Sequence, residues 1–84
     1  MAKKTFGTGD IVKTINLAKD NGITIFYSDG LATLELPKGY LYNGSTGLTL
    51  DVYGLMLFQA WYQISLDVKE LVDNKDQWEK VSVK

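Results

Sequence analysis

Between Ile23 and Leu36 the chain reads ITIFYSDGLATLEL, two short runs of β-branched, aromatic and aliphatic residues on either side of Asp29-Gly30. Asp-Gly between such runs predicts a two-residue hairpin loop, because a type I′ turn needs φ > 0 at both central positions. That loop places Ser28 opposite Leu31, Tyr27 opposite Ala32, Ile25 opposite Leu34 and Ile23 opposite Leu36. Side chains alternate with period two, so Ile23, Ile25, Tyr27, Ala32, Leu34 and Leu36 share one apolar face. The other face carries Thr24, Phe26, Ser28, Leu31, Thr33 and Glu35. Turn chemistry and patterning select one register, and a slip of one residue would turn the apolar set outward.

The flanking segments are read from this hairpin. Ile11, Val12, Ile15, Leu17 and Ala18 recur at helical spacing, with Lys13, Asn16, Lys19 and Asp20 on the other side, which predicts a helix from about 9 to 20. Thr8 or Asp10 is placed to cap its start, and Asn21-Gly22 to end it. After Pro37, residues 37–47 hold three glycines and an Asn-Gly pair, a loop or a second short hairpin. Leu48–Val72 is strongly apolar, and residues 53, 57, 60, 61, 64, 68, 71 and 72 form a helical face, with Thr49 or Asp51 as the expected cap. Leu55, Met56, Phe58, Tyr62 and Leu66 fall outside that face, the pattern of a helix buried on more than one side. Asp67 and Glu70 have capping-box spacing, so a break near Ser65 would make two helices of one. The tail from Trp78 is either an edge strand through Lys80–Val83 or a helical turn with Trp78 docked, and Met1–Phe6 is a short strand or an arm. The expected fold is a single small α+β domain over residues 1–84. It has a helix, an antiparallel hairpin with strands at about 23–28 and 31–36, and a long C-terminal helix or helix pair on one sheet face, with room for a short edge strand.

Composition narrows the chemistry. The chain of 84 residues has no cysteine and no histidine, so thiolate nucleophiles, imidazole bases and the usual soft metal ligands are missing. The carboxylates are scattered. Asp10, Asp51 and Asp67 are at capping positions, Asp29 is in a turn, and the spaced acids from Asp67 to Asp76 alternate with lysines as on a solvated helix face. No metal or cofactor is expected. The net charge of −1 fits neither an acidic nucleic-acid mimic nor a basic nucleic-acid binder, and all nine basic residues are lysine, which rules out bidentate arginine recognition. Gly7-Thr8-Gly9 before a helix lacks the third glycine and preceding strand of a dinucleotide fingerprint. The charge-free window Val52–Leu66 is shorter than the roughly 20 residues of a membrane-spanning helix. The chain reads as a cytoplasmic protein that is not an enzyme.

Two stretches remain as candidate binding surfaces. Lys38, Tyr40, Tyr42, Asn43, Ser45 and Thr46 combine rigid amphipathic rings with small adaptable polar groups among glycines, a composition suited to partner recognition. Leu55, Met56, Phe58 and Tyr62 are surplus to one buried helical face and form the candidate interface of a homo-oligomer. In size and composition the chain resembles small accessory proteins encoded by phages and other mobile elements of low-GC bacteria. That resemblance implies a non-enzymatic protein-binding module that inhibits a host enzyme or defence complex. The alternatives are an oligomeric nucleotide-sequestering protein, with Tyr40 and Tyr42 stacking on bases and Lys38 and the Gly7–Asp10 turn near phosphates, a nucleic-acid-binding accessory protein using Lys3, Lys4 and Lys13, and a structural subunit of an assembly.

Overall fold

The computed structural model describes residues 6–81, in which two helices pack on one face of a small antiparallel sheet, an α+β fold. In chain order the elements are α1 (Thr8–Asp20), β1 (Thr24–Ser28), β2 (Leu31–Glu35), β3 (Tyr40–Leu41), β4 (Gly47–Asp51), α2 (Leu57–Asp73), a 3₁₀ turn (Lys75–Gln77) and β5 (Glu79–Lys80).

The hairpin has the predicted register, with Ser28 opposite Leu31, Tyr27 opposite Ala32 and Ile25 opposite Leu34. Asp29 and Gly30 have φ of 51° and 77°, the left-handed pair that a type I′ turn demands. The strands are one residue shorter at the open end than expected. There the Ile23 N–H turns to the Ala18 carbonyl at 2.8 Å, which joins the end of α1 to the start of β1. Ile23 and Leu36 are still buried.

The segment after the loop corrects the sequence reading. Residues 47–51 are not the start of a helix but a third strand, β4, paired antiparallel with β2 in the order β1-β2-β4. Leu48 lies opposite Leu34 and Leu50 opposite Ala32, so Leu48 and Leu50 extend the apolar face. The Leu36 N–H donates to Thr46 O and the Val52 N–H to Gly30 O, each at 2.8 Å, so even-numbered positions of β2 bond to β4 and odd-numbered ones to β1. Neither Thr49 nor Asp51 caps a helix. Asp51 instead accepts the Tyr53 N–H at 3.1 Å in the turn that leaves the strand. α2 starts only at Leu57, where Gln59 Oε1 accepts the Met56 N–H at 3.2 Å. It then runs unbroken to Asp73, so the break near Ser65 does not occur and Asp67 is an interior helical residue. At α1 the N-cap is Gly7 rather than Thr8 or Asp10, and Asp10 acts from the third helical position by accepting the Gly7 N–H at 2.9 Å.

Both helices end on asparagine, the first as expected, and for the same reason. Asn21 and Asn74 each donate from Nδ2 to the carbonyl four residues back, Leu17 and Glu70, at 2.8 Å. Lys75 Nζ donates to Asn21 Oδ1 at 3.2 Å, bringing a cation to the negative ends of both helix dipoles. α1 lies against β1, α2 against β2 and β4, and the helices touch each other. The core between the layers includes Ala18, Ala32, Leu34, Ile64, Val68 and Leu71, each 1% exposed or less. Both readings of the tail hold in part. Trp78 docks, its indole N–H donating to Leu71 O at 3.0 Å, and a strand follows at Glu79–Lys80, paired with β3 rather than with the main sheet. Residues 82 and 83 of the expected tail strand, and 1–5 of the expected arm, lie outside the described residues.

Candidate functional site

Two surfaces were expected, and the structure treats them differently. The loop is a second hairpin, turning at Asn43-Gly44 with φ of 53° and 79°, and Tyr42 and Ser45 exchange hydrogen bonds at 2.8 and 3.0 Å. β3 ties its near arm to the C-terminal strand, with Tyr40 opposite Lys80 and Leu41 opposite Glu79. Tyr42 points into the core and is only 8% exposed, which corrects its assignment as a contact residue. Tyr40 is half-buried, its ring edge-on to Trp78 at 6.1 Å, while Lys75 Nζ lies 5.8 Å from the centre of the same indole. Lys38, Asn43, Ser45 and Thr46 remain exposed. The loop therefore offers small polar groups, and its tyrosines are used mainly to anchor it. Tyr40 and Tyr42, the rings expected to stack on bases in the nucleotide alternative, therefore do not both stand open to solvent. At the other proposed contact, the Gly7 N–H is already taken by the Asp10 carboxylate.

The second surface is built on the outer side of α2. The inner side uses Ala60, Ile64, Val68 and Leu71, all fully buried. A separate stripe at spacing four, Phe58, Tyr62 and Leu66, runs along the outside of the same helix, 44%, 47% and 44% exposed. This explains why the helix reads as apolar nearly all round: it has two apolar stripes, and only one faces the core. Leu55 and Met56 precede the helix and are exposed as well, Met56 most of all at 75%. Leu55, Phe58 and Tyr62 line one shallow pocket with Phe6, Gln59 and Gln63. Phe6 closes its end, edge-on to Tyr62 at 5.8 Å. All four residues predicted for an oligomer interface are thus solvent-exposed, and three of them meet in one place.

Sequence reasoning missed Phe6 as a member of this surface, and two further exposed apolar residues nearby in the chain, Tyr53 and Leu57. Tyr53 and Leu57 were counted on the buried helical face, but Tyr53 is in the turn before α2, and both are exposed. For Phe6 the available signal was an aromatic just before a helix start, where it can pack on a neighbouring element. No charged side chain occurs along the chain from Val52 to Leu66, and Asp10, Lys13 and Lys69 border the patch where they line a groove with Phe6, Tyr62 and Leu66, an apolar centre with a charged rim on that side. Along the chain the first charge beyond it is Asp67. Partial burial, and then the neighbouring Glu70 carboxylate, hold its pKa above the ordinary aspartate value.

An acid whose pKa is raised on folding stabilises the fold only while protonated, and that contribution is lost as pH rises through the raised value. Ionised Asp67 is therefore a net cost at neutral pH. Asp67→Asn is expected to raise Tm modestly at pH 7, an effect softened by solvent at this partly exposed site, and the advantage should vanish below about pH 3, where the wild-type carboxyl is itself protonated. Calorimetry at both pH values checks this, and an unchanged or lower Tm at pH 7 would contradict it.

Among the described residues no group of three or more carboxylates is placed to hold a metal ion, and no helix is long and apolar enough to cross a membrane. In comparisons with known proteins the chain matches no protein family, no curated protein and no solved structure.

Proposed function

We propose that this chain is a small non-enzymatic protein-binding module, cytoplasmic in setting, that docks on a protein partner through the outer side of α2. The observation that carries this reading is the exposed aromatic and aliphatic stripe of Phe58, Tyr62 and Leu66, continued by Leu55 just before the helix, on an element whose core-facing side is already satisfied. Apolar side chains in such an arrangement gain from burial in a partner at roughly 25 cal/mol per Å² of area removed from water. Large rings at the centre of a contact are the residues whose truncation costs most. The polar Gln59 and Gln63 beside the stripe suit the rim of such a contact, where hydrogen bonds set orientation. Lys38, Asn43, Ser45 and Thr46 supply a separate adaptable polar surface. Inhibition of a host enzyme or defence complex is the form of activity that the size and composition of the chain suggest.

The test is photo-crosslinking from positions 58 and 62 of the full chain in a bacterial lysate, with position 33 on the opposite face of the molecule as control. The expected result is one protein partner, crosslinked from 58 and 62 and competed away by unlabelled wild type. A Phe58→Glu/Tyr62→Glu double variant, which changes only exposed rings, should keep the fold and lose affinity for that partner by about 30-fold or more. A partner bound equally well by the double variant, or crosslinking only from position 33, would overturn the assignment.

A further inference from the structure

The three-stranded sheet has two edges, and they are not alike. Odd-numbered positions of β2 bond to β1, so Thr24, Phe26 and Ser28 turn their backbone groups inward to the ladder. Ile25 and Tyr27 therefore direct their N–H and C=O groups outward from the sheet, where no described strand pairs with them. Edge strands are commonly blunted by a charge, a proline or a bulge. β4 ends on the charged Asp51, whereas β1, Thr24-Ile-Phe-Tyr-Ser28, has none of these devices.

The ground beside this edge is prepared for another strand. A groove of about 440 Å³ lies between α1 and β1, and its lining includes Ile15, Ile25, Tyr27, Trp61 and Lys19. Tyr27 and Trp61 are stacked there at 6.2 Å. Val12 and Ile15 on α1 are 51% and 43% exposed, whereas Leu17 and Ala18 of the same helix pack in the core or against it. A strand added to β1 would place its inward side chains in this groove, under α1.

We infer that the free edge of β1 is the contact between two copies of this chain, which join antiparallel about Phe26 into one continuous six-stranded sheet. The strand is complementary to itself in this register. With Phe26 opposite its own copy, Ile25 faces Tyr27 of the second copy, and both have outward N–H and C=O groups to exchange. The two Phe26 rings, 53% exposed, meet on the outer face, and the apolar Ile25 and Tyr27 side chains meet on the inner one. The same register carries Asp29 past the end of the strand toward Lys19 of the other copy, opposite charges at both symmetric ends. A two-fold axis perpendicular to the sheet keeps all helices on one side and sets Val12 and Ile15 of the two α1 helices toward each other. The α2 stripe takes no part, so the pair would present two copies of the surface assigned above.

Sedimentation of the full chain over a range of concentrations tests this directly. Wild type should show a species of about twice the 9.4 kDa chain mass. Phe26→Lys and Phe26→Glu, both at an exposed outer-face position, should each raise the dimer dissociation constant about tenfold or more, through like charges set opposite one another and loss of the ring pair. Mixing the two variants should restore the dimer, because lysine then faces glutamate. Val12→Glu/Ile15→Glu, which leaves the strand untouched, should also dissociate it, while Phe58→Glu/Tyr62→Glu should not. A wild-type monomer at every concentration would overturn the inference, including one whose Ile25 and Tyr27 amides are protected by its own termini. A dimer indifferent to the Phe26 and Val12/Ile15 variants would overturn it equally.

Discussion

Replacing Gly47 by alanine is expected to destabilise the fold by about 3 kcal/mol or more, a drop in Tm of about 12–24 °C for a domain of this size. Gly47 is opposite Glu35 where β4 joins β2. A Cβ there would be driven into the Leu34 carbonyl oxygen, and would also lie 2.9 Å from the Leu34 carbonyl carbon and 3.0 Å from Glu35 Cα. All three are backbone atoms of the central strand, so no side chain can rotate out of the way. The start of β4 would have to lift off β2, taking with it the Leu36 to Thr46 hydrogen bond just beyond. Total stability for a chain of this length is about 4–13 kcal/mol, so the loss is a large share of it. Gly44→Ala is the informative comparison, because a Cβ at Gly44 meets nothing within 4 Å and only its φ of 79° opposes the change. Thermal unfolding followed by circular dichroism decides the matter, and a Gly47→Ala variant as stable as wild type would show that the β2–β4 approach is looser than described.

The second large effect concerns the same central strand seen from its inner face. Leu34→Ala is expected to cost about 3–4 kcal/mol, within the range for deleting a fully buried leucine side chain. Leu34 is 0% exposed, flanked across the sheet by Ile25 and Leu48 and beneath α2. Its loss leaves a cavity between two layers that are already tied together by the helix contacts, so little collapse can fill it. Leu31→Ala on the outer face of the same strand, 50% exposed, should cost less than about 1 kcal/mol. Urea unfolding of the pair measures the difference between the two faces. Equal midpoints for the two variants would contradict the observed register.

The hairpin was fully legible in the sequence because two independent signals, Asp-Gly turn chemistry and period-two patterning, agree on one register. α1 was legible for a similar reason, since its apolar spacing is bounded by an Asn-Gly stop. β4 was misread although its pattern is plain once its end is known: Leu48, Leu50 and Val52 alternate with Thr49 and Asp51. The error came from the residues that follow. A long apolar run after Thr and Asp looks like a capped helix, and five residues of alternation are easily absorbed into it. The turn at Tyr53-Gly54 separates the two, and it carries no strong signature beyond one glycine. The α2 stripe was found in part for a physical reason. A helix with more apolar residues than one face can hold must expose some of them, and Leu55, Met56, Phe58 and Tyr62 were the excess. Tyr42 went the other way, because a tyrosine in a glycine-rich loop gives no local sign of whether its ring turns outward or into the core. The clasp between β3 and β5 could not be read at all, since it joins residues nearly forty positions apart with two-residue strands.

The sheet is packed on one face only, and this divides the burden of specifying the fold unevenly along each strand. Ile25, Ala32, Leu34, Leu48 and Leu50 carry the packing. Apart from Phe26 on the edge strand, the alternate positions, Thr33, Glu35 and Thr49 among them, have only to suit an extended, solvated backbone. Those outer positions form a permissive surface, where sequence can drift at little cost to the architecture and where a probe or a new binding function could be grafted without redesigning the interior.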